Sequence, residues 1–305
     1  MMRIVECVPN FSEGRKTSTI ESIAQSIEQV PNSHVINIHM DADHNRSVIT
    51  FFSCPDNIVE ASVRAVARAA ELIDLRHHSG AHPRIGATDV LPLIPIRGVT
   101  IDDCVNFAHE SGRRISNELA IPVFFYERAA LRPDRKRLED IRRGGLEHLK
   151  QAITGEKYFQ PDAGPLHLHE TAGASVIGAR WFLIAFNVNL KSTQIEIAKK
   201  IAGTIRERGG GLPSLKALGI DLKSKNKVQV SMNLTDYRVT SLKDAFDFVR
   251  RETEKYGIEI AESEIVGVVP EAALFKGAEK YLKIKNFNKN LILEHQIMKV
   301  LSAKC

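Results

Sequence analysis

Short runs rich in β-branched and aromatic residues alternate with longer stretches of helical periodicity along nearly the whole chain, and this alternation restricts the fold more than any other feature. In the first half the runs "RIVECVP", "HVINIHM", "SVITFFS", "DVLPLIPI" and "PVFFYE" read as strands. Between them, "TIESIAQSIEQV", "NIVEASVRAVARAAELIDL" and "DDCVNFAHESGRRISNEL" repeat apolar residues every three or four positions. In the second of these, Val59, Val63, Val66, Ala70 and Ile73 form one stripe, and Arg64, Arg68 and Glu71 face elsewhere. Strands separated by helices in this way must bury their apolar faces against those helices, which predicts a layered α/β (α+β) protein.

A charged helix is expected over "RPDRKRLEDIRRGGLEHLKQAI". The stretch after it, "TGEKYFQPDAGPLHLHETAGASVIG", is rich in Gly and Pro and has little periodicity, so it reads as a connection, a cover over a site, or both. The pattern restarts as a buried strand in "ARWFLIAFNVNL", followed by the helix "TQIEIAKKIAGTIRER", strands in "NKVQVSMNL" and "SEIVGVVP", and the helix "LKDAFDFVRRETEKYG". The final "KNLILEHQIMKVLSAKC" reads as a terminal amphipathic helix. These runs predict two subdomains, residues 1–178 and 179–305, joined near 160 to 180, each built as a split βαβ sheet with helices on one face.

Composition narrows the function classes. With 43% hydrophobic and 26% charged residues, the 305-residue chain is expected to be a soluble globular protein, and its formal charge of +5 favours anionic partners without naming one. No run approaches the roughly 18 apolar residues of a membrane span. The start carries charge, Pro and Gly where a secretory signal needs an apolar core, so a cytoplasmic protein without membrane contact is expected. The cysteines, Cys7, Cys54, Cys104 and Cys305, form no CxxC pair, and reduced thiols are the simplest reading. Nucleic-acid binding on such sheets would require an RNP-like pattern of exposed aromatics, which is missing.

The segment "HHSGAHPRIGATDV" places His77, His78 and His82 within six positions. Three readings compete: a metal site, a proton-transfer site and a hydrogen-bonded polar loop. Zinc requires three or four converging ligands, and neither HExxH nor a Cys/His quartet occurs; His39 and His44 near "MDADHNR" would have to complete a set that no spacing demands. Proton transfer has the stronger local physics. Pro83 restricts His82 to extended backbone, Gly80 and Gly86 permit bends on either side, and an imidazole titrates near neutrality.

Four stretches, "VECVPNFSEGR", "DHNRSVITF", "SGAHPRIGATDVLPLIP" and "GARWFLIAFNVNL", together resemble the formiminotransferase domain of the formiminotransferase-cyclodeaminase family, with weaker echoes in "VSMNLTDY" and "IVGVVP". The resemblance implies transfer of a formimino group from N-formimino-L-glutamate to N5 of tetrahydrofolate, with tetrahydrofolate as co-substrate and no metal. It implies two ferredoxin-like subdomains with folate in a basic cleft between them, in a homodimer. The family's catalytic histidine falls on His82 through "GAHPR". The substrates carry carboxylates, so Arg46 and Arg84 are candidate clamps. Asp41, Asp43 or Asp89 would orient the imidazole or hold the formiminium charge. Asn10, Asn187 and Asn189, read as amides at strand ends, suit a pterin edge or a carboxylate. Gly178 and Arg180 open the last motif and join the binding candidates. Gly164 and Pro165 match the family's folate-binding "GP". The following "LHLHETA" departs from the aromatic-bearing sequence of better-known members, which leaves His167 or His169 to stack on the pterin.

No cyclodeaminase sequence follows, so a separate downstream cyclodeaminase is expected. The rival readings are a folate-dependent formyl transferase using a formylated glutamate or 5-formyltetrahydrofolate, and a non-catalytic folate-binding or nucleic-acid-binding module.

Overall fold

The computed structural model describes residues 2–42, 44–80, 83–222, 225–285 and 287–302. The chain divides into two compact units, Met1–Arg180 and Trp181–Cys305.

The first unit runs β1 (Ile4–Cys7), β2 (Asn10–Phe11), α1 (Thr17–Glu28), β3 (His34–Asp41), β4 (Arg46–Ser53), α2 (Ile58–Leu72), β5 (Thr88–Arg97), α3 (Ile101–Leu119), β6 (Val123–Glu127), α4 (Leu138–Ile141), α5 (Gly145–Ala152) and β7 (Ser175–Ala179). β1 and β2 are two halves of one interrupted strand, and both pair antiparallel with β4 on one side and β5 on the other. With β3 outside β4, the order β5-β1-β4-β3 is that of a βαββαβ ferredoxin-like sheet. β7 and then β6 extend it beyond β5 as parallel strands.

Period-two alternation divides the side chains of this sheet between its faces. Val5, Cys7, Phe51, Leu91, Leu93, Phe125 and Ile177 pack with Ile20, Ile23 and Ile27 of α1, Val59, Val63 and Val66 of α2, and Cys104, Ala108 and Ile115 of α3. Each large apolar side chain buried there contributes roughly 1.5–3 kcal/mol. On the opposite face Val90, Phe124, Tyr126 and Val176 are covered by Ile141, Leu149, Ala152, Ile153 and Phe159.

That covering layer corrects two expectations. The charged segment is not one helix but the short α4 and α5, because Gly144 and Gly145 take positive φ (78° and 69°) and turn the chain between them. The Gly/Pro-rich stretch is also less of a connection than its composition suggests. The Val123 amide donates to the Ala163 carbonyl, Gly86 bridges Gly173, and "SVIGA" is the interior strand β7. A short strand with small residues and no polar alternation carries little periodic signal.

The second unit runs β8 (Ile184–Leu190), α6 (Ile195–Ile205), β9 (Leu215–Leu222), β10 (Lys227–Leu234), α7 (Leu242–Glu254), β11 (Ile260–Val266), α8 (Ala278–Tyr281) and α9 (Leu293–Ser302). Its sheet, ordered β11-β8-β10-β9 and antiparallel throughout, repeats the βαββαβ arrangement. Phe186, Val188, Val228 and Val230 pack beneath Ile201, Ile205, Phe246 and Val249. The edge strand β9, "LKALGIDL", escapes the sequence reading because it exposes Leu218 and Ile220 rather than alternating cleanly. Among the described residues, no helix is long and apolar enough to cross a membrane.

Candidate active site

The motif residues of the first unit converge on two places, the turn between β3 and β4 and the segment that enters β5. Asn45 organises the turn. It takes a positive φ of 48°, a conformation asparagine tolerates better than most residues. Its side-chain oxygen accepts from the Gly14 amide at 2.9 Å, its amide nitrogen donates to the Ser79 carbonyl at 3.0 Å, and its own carbonyl lies 3.0 Å from His78 Nε2. One buried asparagine thus ties "SEGR", "DHNR" and the histidine segment together.

Asp41, at the end of β3, holds His44. One carboxylate oxygen accepts the His44 amide at 2.9 Å and the other lies 2.8 Å from His44 Nδ1. His78 is half-buried, and desolvation pushes its pKa below the usual 6.5, opposed by its contact with Asn45 and reinforced by the Arg84 charge. His82 and Asp43 lie outside the described residues.

Asp89 is the electrostatic centre. Its side chain is completely buried, and one oxygen lies 2.7 Å from Arg46 Nη1 and 2.8 Å from Arg142 Nη1. The other oxygen accepts the Ile85 amide at 2.9 Å. Burial alone would raise its pKa, but the charges of Arg142 and Arg46 and the hydrogen bonds outweigh it, and the carboxyl stays below its ordinary range. Burial and the neighbouring Arg142 push Arg46 down while Asp89 pulls it up; a guanidinium keeps its proton at neutral pH regardless, so the pair is ionised. Arg46 also donates through Nε and Nη2 to Asn10 Oδ1, at 3.2 and 3.0 Å. Asn10 in turn donates to the Val8 carbonyl across the break between β1 and β2.

Asn10, Arg46 and Asp89 therefore form one bonded chain, completed by Arg142, a residue that sequence reasoning passed over. In the sequence Arg142 is one of several arginines in a charged run, and nothing local distinguishes it from its solvated neighbours. Arg84 donates to the His78 carbonyl at 3.1 Å and lies 3.7 Å from Glu147, with its Nε buried. Burial pushes the Tyr126 phenol up to about 12, opposed by the Arg180 charge, and the Gly178 backbone packs against the same ring.

The remaining candidates belong to other stretches of the chain. Gly164, Pro165 and the exposed His167 belong to the segment crossing the end of β6, and His169 Nδ1 accepts the Ala172 amide at 3.1 Å. Asn187 and Asn189 belong to the second unit. Asn187 lies in the middle of β8, and Asn189 next to its last residue, Leu190. They donate to Glu264 and Glu262 respectively, and Gln229 bonds Asn189 and Glu264. Among the described residues no group of three or more His, Cys, Asp or Glu is placed to hold a metal ion.

Comparison with known proteins follows the same division. Residues 4–180 match the family profile described as the formiminotransferase domain, N-terminal subdomain, and residues 185–303 that of the formiminotransferase domain. A glutamate formimidoyltransferase of Thermoplasma acidophilum is 47% identical over 300 residues, covering 98% of each chain. One of Streptococcus pyogenes is 40% identical over 299 residues, covering 98% of this chain and all of that one. The formimidoyltransferase-cyclodeaminase of Rattus norvegicus is 42% identical over 287 residues, which are 92% of this chain and 53% of that protein.

Proposed function

Because the chain belongs to the formiminotransferase family, we propose that it transfers the formimino group of N-formimino-L-glutamate to N5 of tetrahydrofolate, releasing L-glutamate and 5-formiminotetrahydrofolate. The observation that carries this reading is end-to-end identity of 47% with a glutamate formimidoyltransferase, with no part of either chain substantially unmatched. The reaction belongs to histidine breakdown, and the reduced folate is a co-substrate that leaves carrying the group.

The chemistry is an exchange of amines at the amidine carbon. N5 of the folate attacks, a bond forms from N5 to carbon, and N5 gives up a proton. The bond from carbon to the glutamate nitrogen then breaks, and that nitrogen takes a proton. His82 is assigned both transfers, since one imidazole accepts and returns a proton near neutral pH. Arg84, beside this segment, and Arg180 are assigned to substrate carboxylates. Arg46 uses Nε and both Nη groups internally, so it contributes charge and shape rather than a free fork. Asn187 and Asn189 are kept as polar contacts for the folate, as are Gly164, Pro165, His167 and His169. The working enzyme is taken to be a cytoplasmic homodimer that needs no metal.

The test is direct. Purified protein, supplied with formiminoglutamate and tetrahydrofolate, is expected to form 5-formiminotetrahydrofolate and glutamate, with formylglutamate a much poorer donor. His82→Ala should lower kcat by roughly 10²- to 10⁴-fold while folate affinity changes only a few-fold, because acid-base help acts on the transition state. More than a tenth of wild-type turnover in that variant would remove His82 from the role. Activity lost to EDTA and restored by a divalent ion would overturn the metal-free assignment.

A further inference from the structure

We infer that Arg142 is a positioning residue for the transfer reaction, holding the segment on the C-terminal side of His82 to the buried carboxylate of Asp89. The inference rests on the functional reading above and extends it to a residue of the covering layer.

Arg142 follows α4 directly, and its Nη1 makes two contacts: 2.8 Å to Asp89 Oδ2 and 3.4 Å to the carbonyl of Pro83. Pro83 is the residue bonded to His82. The other Asp89 oxygen holds the Ile85 amide, so the first and third residues after His82 are tied to the same carboxylate, one directly and one through Arg142. On the other flank Asn45 holds the Ser79 carbonyl and the His78 ring. The histidine segment is therefore anchored to a turn of the sheet before His82, and to Asp89 and Arg142 after it.

Neutralising Asp89 does not by itself account for Arg142. Arg46 already supplies a cation at 2.7 Å, and the second guanidinium leaves the trio with a net positive charge, each arginine opposing the other. What Arg142 adds beyond Arg46 is the reach to Pro83. A proton-transferring ring is effective only when held close to its reacting atoms, and a displacement of about 1 Å costs on the order of 10² in rate.

The experiment compares Arg142→Met and Arg142→Lys, each alone and in a His82→Ala background, by steady-state kinetics with both substrates varied. Arg142→Met is expected to lower kcat by about tenfold or more with both KM values within threefold, and Arg142→Lys to recover part of the loss. In the His82→Ala background Arg142→Met should cost nothing further, because its effect passes through His82. Amide exchange in the peptide spanning 76–87 should quicken in Arg142→Met. Unchanged kcat, an equal loss in both backgrounds, a raised KM at constant kcat, or unaltered exchange each overturns the inference. Should Arg142→Met fail to fold, Arg142→Lys carries the same comparison. A wild-type protein inactive toward formiminoglutamate would sink the functional reading and this inference together, whereas an active wild type with an indifferent Arg142 sinks the inference alone.

Discussion

Asp89 shows what a single residue contributes when it is buried between opposite charges. Removing it as Asp89→Ala leaves Arg46 and Arg142 buried against each other and the Ile85 amide without its acceptor. Breaking a buried ionic group by deleting one partner costs about 3–5 kcal/mol, and urea unfolding at pH 7 should show a loss of that order. The pH dependence has a definite sign. Asp89 has a lowered pKa in the folded chain, so its contribution to stability is present above its unfolded value near 3.8 and is lost as pH falls through the lower folded value. The gap in stability between wild type and Asp89→Ala should therefore narrow on acidification below about pH 4; a gap constant down to pH 2 would show that folding does not lower the Asp89 pKa, and a gap that widens would show that the native carboxyl is protonated. Asp89 was a candidate from its motif alone. Its partners were not legible, because Asn10, Arg46 and Arg142 come from three separate stretches and meet only across the sheet.

At the scale of the element, the approach to β5 depends on a close passage of two backbones. Gly86 bridges Gly173, and a Cβ at Gly86 would lie 1.9 Å from the Ala174 carbonyl oxygen and 2.8 Å from that of Thr88. Both are main-chain atoms that no rotamer change can move. Gly86→Ala is thus expected to destabilise by about 2–3 kcal/mol, the upper part of the range for overpacking, and to depress kcat because Ile85 must shift with it. A urea midpoint within error of wild type would refute this. The long helices α2, α3 and α7 were readable because each presents a long periodic stripe to one core, and the strands β4, β5 and β8 because each is a sustained apolar or alternating run of strand length. β7 and β9 were not readable, one being short and buried on both faces, the other an edge with exposed Leu218. The predicted charged helix failed at Gly144 and Gly145, a pair visible in the sequence whose positive φ is the reason for the break.

For the whole molecule, two sheets with separate cores imply that each unit buries its own apolar surface. A fragment of residues 181–305 is expected to unfold cooperatively in urea with an α/β circular dichroism spectrum, and to transfer no formimino group by itself. A non-cooperative transition would mean that its core is incomplete alone. The sequence by itself determined the fold class and the family, because hydrophobic periodicity and the long motifs around "SGAHPRIGATDV" are local properties that survive in one dimension. Only the tertiary structure decided that Asn45 joins three motifs, that Asp89 is shared between two arginines, and that Arg142 reaches Pro83. Hydrogen bonds and ion pairs act over about 3 Å, whereas Asp89 and Arg142 stand 53 residues apart in the chain, so nothing but the packing of the α4–α5 layer over the sheet could bring them into contact.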